Sequence, residues 1–380
     1  MKSPLAELIR DKRVIICCGA GGVGKTTTAT ALALAAARSG RKVLALTIDP
    51  SKRLAETLGV ERNLKEPVSL PQERLDRAFI RPPGGLETWM LDPQLVSDRT
   101  VSKLADDESE ASRLKDNRIY QQISRMVAGM QEYTAMEALY GFMKDGRYDL
   151  IVLDTPPSRH ALDFLDGPRR LERFFDGRIF QLFTPSEEAG FIRKAASKLI
   201  GQVLSAVFGE ENHRELQEFF VAFTPLFSVL TRNAGDMFRR LSSPEDCAFL
   251  LVSAPSSEAV DDALHFRKKT RELGLPFGGF ILNRSRAWGA ERVMPEASLF
   301  GPTPTPVQLS ALEKLSNLAT LEQAEVGRHA LLLDELTRTA GQEAFATALP
   351  DYASGANDLE ALVDLADCIG ARDTFTNDEV

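Results

Sequence analysis

Between residues 19 and 26 the chain reads Gly19, Ala20, Gly21, Gly22, Val23, Gly24, Lys25, Thr26. A glycine, four residues and then Gly-Lys-Thr is the spacing of a loop that cradles phosphate. Its glycines let successive backbone N–H groups turn onto an anion at the positive end of the helix that follows. Lys25 is placed to neutralise the β- and γ-phosphates of a nucleoside triphosphate. Thr26 offers its hydroxyl to Mg2+, and Thr27 continues the binding turn.

Two carboxylates have the right setting to complete such a site. Asp154 closes the apolar run DLIVLD, and Thr155, Pro156 and Pro157 follow it. A carboxylate at the carboxyl end of a strand beside the loop is where a Mg2+ ligand belongs, acting through water. Asp49 ends a second apolar run, in TIDPSKR, followed by Pro50 and Ser51. From there it would face the γ-phosphate and orient an attacking water. For both residues the plain alternative is an aspartate that caps a turn at a strand end.

The elements that must carry these residues alternate. RVIICC (13–18) is a short β-branched run, KTTTATALALAAARSG (25–40) an alanine-rich helix stopped at Gly40, and KVLALTID (42–49) a second strand. Strand, loop, helix and strand in so few residues make a βαβ unit with parallel strands. Further strands are expected at 86–92, 149–154, 247–254, 277–283 and 344–350, with a helix between the Ser256 cap and Gly274. Continuous apolar runs suit a parallel sheet covered on both faces. The expected fold class is therefore α/β, a doubly wound and mostly parallel sheet.

Residues 93–145 and 163–244 break the alternation with helical periodicity, and are expected to form a helical subdomain inserted into a single domain spanning 1–380. Twelve of the chain's 21 phenylalanines lie between 164 and 238. Leu216, Phe219, Phe220, Phe223 and Phe227 recur at helical spacing. Such a stripe fits a buried core or an exposed groove for an apolar client, since both need one apolar face. PTPTP (302–306) is a connector before the final helices, and 371–380 reads as a flexible tail.

Composition narrows the classes. A net charge of −8 and a pI near 5.3 give no basic footprint for nucleic acid. The N-terminus lacks a signal-peptide core and no run is long enough to span a bilayer, so a cytoplasmic protein is expected. Four cysteines, at 17, 18, 247 and 368, show no Cys-x-x-Cys spacing and no zinc site is expected.

The chain resembles the ArsA-type ATPases, a family of phosphate-loop NTPases with a deviant Walker A motif that includes arsenite-pump and Get-pathway targeting ATPases. The resemblance rests on GAGGVGKTTT, TIDPSKRLAETLG, AGMQEYTAMEAL, DTPPSRHALDFL and ILN, and covers nearly the whole chain. It implies ATP and Mg2+ as ligands. It also implies a first switch with the water-positioning Asp49, and a second switch from Asp154 that includes Arg159 and His160. Asn283 then stands where the family contacts adenine. The implied work is ATP hydrolysis coupled to dimer closure and to binding of a hydrophobic protein segment, with a membrane receptor as a further partner.

Three departures bear on that expectation. Ala20 stands where the family carries a lysine that reaches the phosphates of the other subunit. Charge supplied in this way by an arginine finger is worth about 10³–10⁵ in turnover. A homodimer of this chain is expected to hydrolyse slowly, unless Arg159, Lys52 or Arg53 substitutes. Alternatively, the chain is the regulatory subunit of a heterodimer with a lysine-bearing paralogue. The family's zinc-bridging Cys-x-x-Cys is missing, and no cysteine cluster suits arsenite, which disfavours an arsenite-efflux motor. The acidic tail disfavours a surface-partitioning ATPase.

Overall fold

The computed structural model describes residues 3–48, 58, 66–90, 98, 101–102, 107–117, 130–155, 232–233, 235–287, 296–301, 303–351 and 359–370. Eight strands form one sheet: β1 (Val14–Cys18), β2 (Lys42–Thr47), β3 (Val68–Ser69), β4 (Gly85–Met90), β5 (Leu150–Asp154), β6 (Cys247–Ser253), β7 (Phe277–Ser285) and β8 (Phe345–Pro350). Their order is β3-β4-β2-β5-β1-β6-β7-β8. Every pairing is parallel except that of β3 with β4. The central strands β1, β5 and β6 are buried along their whole length, as unbroken apolar runs in a doubly covered sheet must be.

All seven strands expected from the sequence are present, and β3 was not foreseen. At two residues it is too short to leave a hydrophobic period, and it serves as a short antiparallel edge on β4.

Helices cover both faces. On one lie α1 (Pro4–Asp11), α2 (Lys25–Arg38) and α8 (Leu359–Gly370), enclosing a core that includes Ile9, Leu32, Leu34, Leu362 and Ile369. On the other lie α5 (Met130–Asp145), α6 (Ser257–Glu272) and α7 (Pro306–Ala340), around Leu139, Phe142, Phe266, Leu333 and Leu336. Two short helices, α3 (Gln72–Arg77) and α4 (Glu108–Asp116), complete the described set.

Helix α2 explains its own composition. Every residue from Thr28 to Ala37 is buried, because the helix is covered by the sheet and by α8. Alanine allows that close approach on several sides and has the highest helix propensity. Gly24 opens the helix in the left-handed region, at φ 90°, and Gly40 at φ 98° follows its end. Likewise the Ser256 hydroxyl accepts the Ala259 amide at 3.3 Å to start α6, and Gly274 follows its end at φ 68°.

The final helices expected after the proline-rich connector include one of 35 residues, α7, opened by a capping box between Thr305 and Gln308. Its first half is largely uncovered, with Val307 and Leu321 at 79% and 67% exposure. From His329 onward it docks on the sheet through Leu333, Leu336 and Ala340. Of the two stretches expected to be helical, the described helical parts are α4, α5 and residues 98, 101–102, 232–233 and 235–241. Leu216, Phe219, Phe220, Phe223 and Phe227 lie outside the described residues.

His329 ties α7 to the end of β7. Its Nδ1 accepts the backbone N–H of Arg286 at 2.9 Å, a bond that needs the neutral ring. Burial lowers its pKa below the ordinary imidazole value of 6.5, against an opposing pull from Glu325 and Asp351 and with support from Arg328 and Arg286. The unfolded chain therefore takes up the proton first as pH falls. Its contribution to stability is complete above 6.5 and is lost as pH drops through that value toward the lower folded pKa. Denaturant midpoints measured across that window should fall in the wild type, and fall less steeply in His329→Gln. Equal slopes would show that another group controls the acid side.

Candidate functional site

The strand register brings the functional ends level. Asp154 of β5 pairs with Cys17 of β1 on one side and with Thr47 of β2 on the other. The loop 19–24 leaves β1 one residue later, so its glycine turn and the last carboxylate of β5 share one edge. That edge is the carboxyl end of the parallel strands, where open α/β sheets bind ligands.

Around Asp154 the contacts converge. Its Oδ2 accepts the Thr26 hydroxyl at 2.7 Å and the Thr47 hydroxyl at 3.1 Å. The residue itself is 2% exposed. Lys25, 4% exposed, folds back along the loop and donates from Nζ to the Ala20 carbonyl at 2.8 Å. Thr155 is fully buried and donates its hydroxyl to the Cys17 carbonyl at 2.8 Å, which pins the first residue beyond β5. Behind the loop, Asn283 donates from Nδ2 to the Val23 carbonyl at 2.9 Å, and Arg284 donates to the Gly22 carbonyl at 2.8 Å.

The donor set fits the ligands the loop implies. Two hydroxyls and a carboxylate offer hard oxygens only, which suits Mg2+ and not a soft metal. A buried ammonium at the start of a helix, beside a turn of glycine amides, suits a polyphosphate. Among the described residues no group of three or more His, Cys, Asp or Glu side chains could hold a metal ion.

The structure therefore gathers Gly19 to Thr27, Asp154, Thr155 and Asn283 from the sequence-derived set. Asp49, Pro50, Ser51, Pro156, Pro157, Arg159 and His160 lie outside the described residues. Ile48, the last described residue before the first three, donates its amide to the Asp154 carbonyl at 3.1 Å. Sequence reasoning missed Thr47 and Arg284. A hydroxyl in the last position of β2 was a legible signal for the first. No local pattern announces the second, because it depends on an irregularity in β7.

Ala20 is half-buried and packs against the apolar cluster on the α2 side of the sheet. None of the four cysteines, all among the described residues, is in a disulfide. Burial pushes the Cys17 thiol far up, with the Asp154 carboxylate adding to the effect, and pushes Cys18 to about 12. Burial raises Cys247 as well. None of these three is poised as a thiolate.

A glycine loop between a buried strand and a helix, with a threonine–aspartate pair at the strand ends, defines a phosphate-loop nucleotide-binding protein. Comparison with known proteins narrows this further. The model of the anion-transporting ATPase family matches residues 12–263, and the chain belongs to that family. It is 29% identical over 176 residues to the ATPase get3 of Aspergillus terreus, covering 46% of this chain and 48% of that protein. It is 24% identical over 266 residues to an ATPase ASNA1 homolog of Babesia bovis, covering 66% and 69%. With the ATPase ARSA1 of Chlamydomonas reinhardtii it shares 24% over 291 residues, covering 72% of this chain and 35% of the other. The chain thus spans about half the length of the fungal relative.

A thiol reagent applied to the native protein should label Cys368, which is partly exposed, and spare Cys17, Cys18 and Cys247 until the fold is opened by denaturant. Intact-mass counting of adducts over time checks this. Rapid native modification at two or more positions would contradict the buried thiols.

Proposed function

We propose that this chain is a Mg2+-dependent ATP-hydrolysing switch. The observation that carries the reading is the convergence of Thr26 and Thr47 on the Asp154 carboxylate beside the phosphate loop. Thr26 would hold Mg2+, with Asp154 acting through water, and the ion would supply positive charge to neutralise the phosphates there. Lys25 would leave the Ala20 carbonyl for the β- and γ-phosphates. Asp49, next in sequence after Ile48, would orient a water for in-line attack. Water adds to the γ-phosphorus as the bond to the ADP oxygen breaks, giving ADP, inorganic phosphate and a proton.

The output we favour is mechanical. The two chain exits next to Asp154, after Ile48 and after Thr155, are the segments that resemble nucleotide switches. Their rearrangement would close a dimer and alter the grip of the Phe-rich helices on a hydrophobic protein segment. Family membership and the resemblance to Get-pathway ATPases support this output. The same likeness supports a membrane receptor for the client and a cytoplasmic location as parts of this reading. Among the described residues no helix is long and apolar enough to cross a membrane.

Ala20 favours a second reading, a nucleotide-binding regulatory subunit completed by a lysine-bearing paralogue. A methyl group packed against the core cannot supply charge across an interface. Phosphate release from ATP separates the two. On the first reading the purified chain turns over in Mg2+ and stops with EDTA. Asp49→Asn should lower the rate by about 10²-fold or more, as loss of a positioned base does, while Lys25→Ala should abolish nucleotide binding. Wild-type turnover equal to that of Asp49→Asn, with nucleotide binding intact, would leave the regulatory reading standing. A large gain in Ala20→Lys would then identify the missing charge.

A further inference from the structure

Asn283 and Arg284 are neighbours in sequence, yet both side chains reach the same loop. In a regular strand, consecutive side chains point to opposite faces, so at most one of them would. The chain achieves it through an irregularity. The pairing of β7 with β8 slips between Leu282 and Ser285. Arg284 lies in the left-handed region at φ 55°, one of two described non-glycine residues with positive φ. Local strain of this kind persists where surrounding contacts over-determine it. Here the contacts are two hydrogen bonds to consecutive carbonyls, Arg284 to Gly22 and Asn283 to Val23. Gly24 admits the second, since a Cβ there would strike the Asn283 amide.

Consecutive carbonyls held from one side fix consecutive peptide planes. In a trans peptide the C=O of one residue and the N–H of the next point in opposite directions. Holding the Gly22 carbonyl therefore turns the Val23 amide the other way, and holding the Val23 carbonyl does the same for the Gly24 amide. Lys25 closes the curl by donating to Ala20. Two inward N–H groups in succession make an anion nest.

We propose that Asn283 and Arg284 act as a two-pronged clamp that sets the phosphate nest from behind, as positioning residues for the phosphate chain of the nucleotide. This rests on the nucleotide-binding reading above. Preorganised amides bind without first losing the freedom of two flexible glycine-flanked peptides, so the clamp contributes affinity without touching ligand. Because the clamp acts on the nest, its effect belongs equally to any ligand that carries the phosphates.

The test compares ATP with inorganic tripolyphosphate, which lacks base and sugar, by calorimetric titration in Mg2+. Arg284→Met, at an exposed position, should weaken both ligands by a similar factor, about tenfold for the loss of one charged hydrogen bond. Arg284→Lys keeps a donor and should recover most of it. Asn283→Leu, which changes no charge, should also weaken both ligands, with unfolding temperatures confirming that the variants fold. Weakening confined to ATP would overturn the clamp in favour of a base or ribose contact, and unchanged affinities for both ligands would overturn it outright. A wild type that binds neither ligand, or Lys25→Ala binding like wild type, removes the nucleotide-binding reading and the clamp together.

Discussion

The Asp154 side chain is the constraint on which the site depends. A carboxylate almost closed to solvent must be hydrogen-bonded, and here two threonines from different segments supply the donors. Thr26 comes from the first turn of α2 and Thr47 from the last position of β2. Satisfying one carboxylate therefore locks the helix start, two strand ends and the loop between them into a single arrangement. Truncating one donor would leave the remaining geometry to hold a poorly paired buried carboxylate, which is why such centres tolerate little change.

The rest of the fold serves that lock. Strands β1, β5 and β2 stand level because their register is fixed by side chains buried on both faces, where a slip of one residue would exchange the two cores. Helix α2 is pressed between the sheet and α8, with alanines where larger side chains would force it away. Overpacking a core of this density typically costs about 1–3 kcal/mol. Here the damage would also be transmitted to Thr26, which sits rigidly on the helix end. The tight packing behind the loop and the open glycines within it divide the work between holding and yielding.

Much of this was legible in the sequence, for identifiable reasons. Buried parallel strands are written as unbroken apolar runs, so seven of the eight were found with ends accurate to a few residues. The loop was legible because its glycines, lysine and threonine are each required by geometry or charge. What could not be read depended on tertiary accidents of pairing. β3 has only two residues. The hydroxyl of Thr47 at the end of β2 was legible, but its meeting with Asp154 follows from β5 lying between β2 and β1, and no local pattern shows strand order. Arg284 turns toward the loop through a left-handed residue and a register slip, and neither has a signature in ILNRS. The family resemblance placed Asn283 at the site, but its bond to the Val23 carbonyl likewise depends on tertiary pairing.

These contacts also show how information could leave the site. The Ile48 amide donates to the Asp154 carbonyl, and Thr155 holds Cys17 through both backbone and hydroxyl. Both segments that resemble switches therefore depart from residues bonded to Asp154 or directly following it. On the function proposed above, a phosphate arriving at Lys25 and Thr26 competes for the groups that now bind Ala20 and Asp154. Any relaxation of that carboxylate is felt at both exits at once, within one or two peptide units and without a long relay. The core behind the loop is packed too densely to absorb such a shift gradually, so the change passes to the segments that leave the sheet. On that proposed function, coupling between nucleotide and distant segments needs no pathway through the core, because both segments that resemble switches follow directly from residues bonded to Asp154 or next to it.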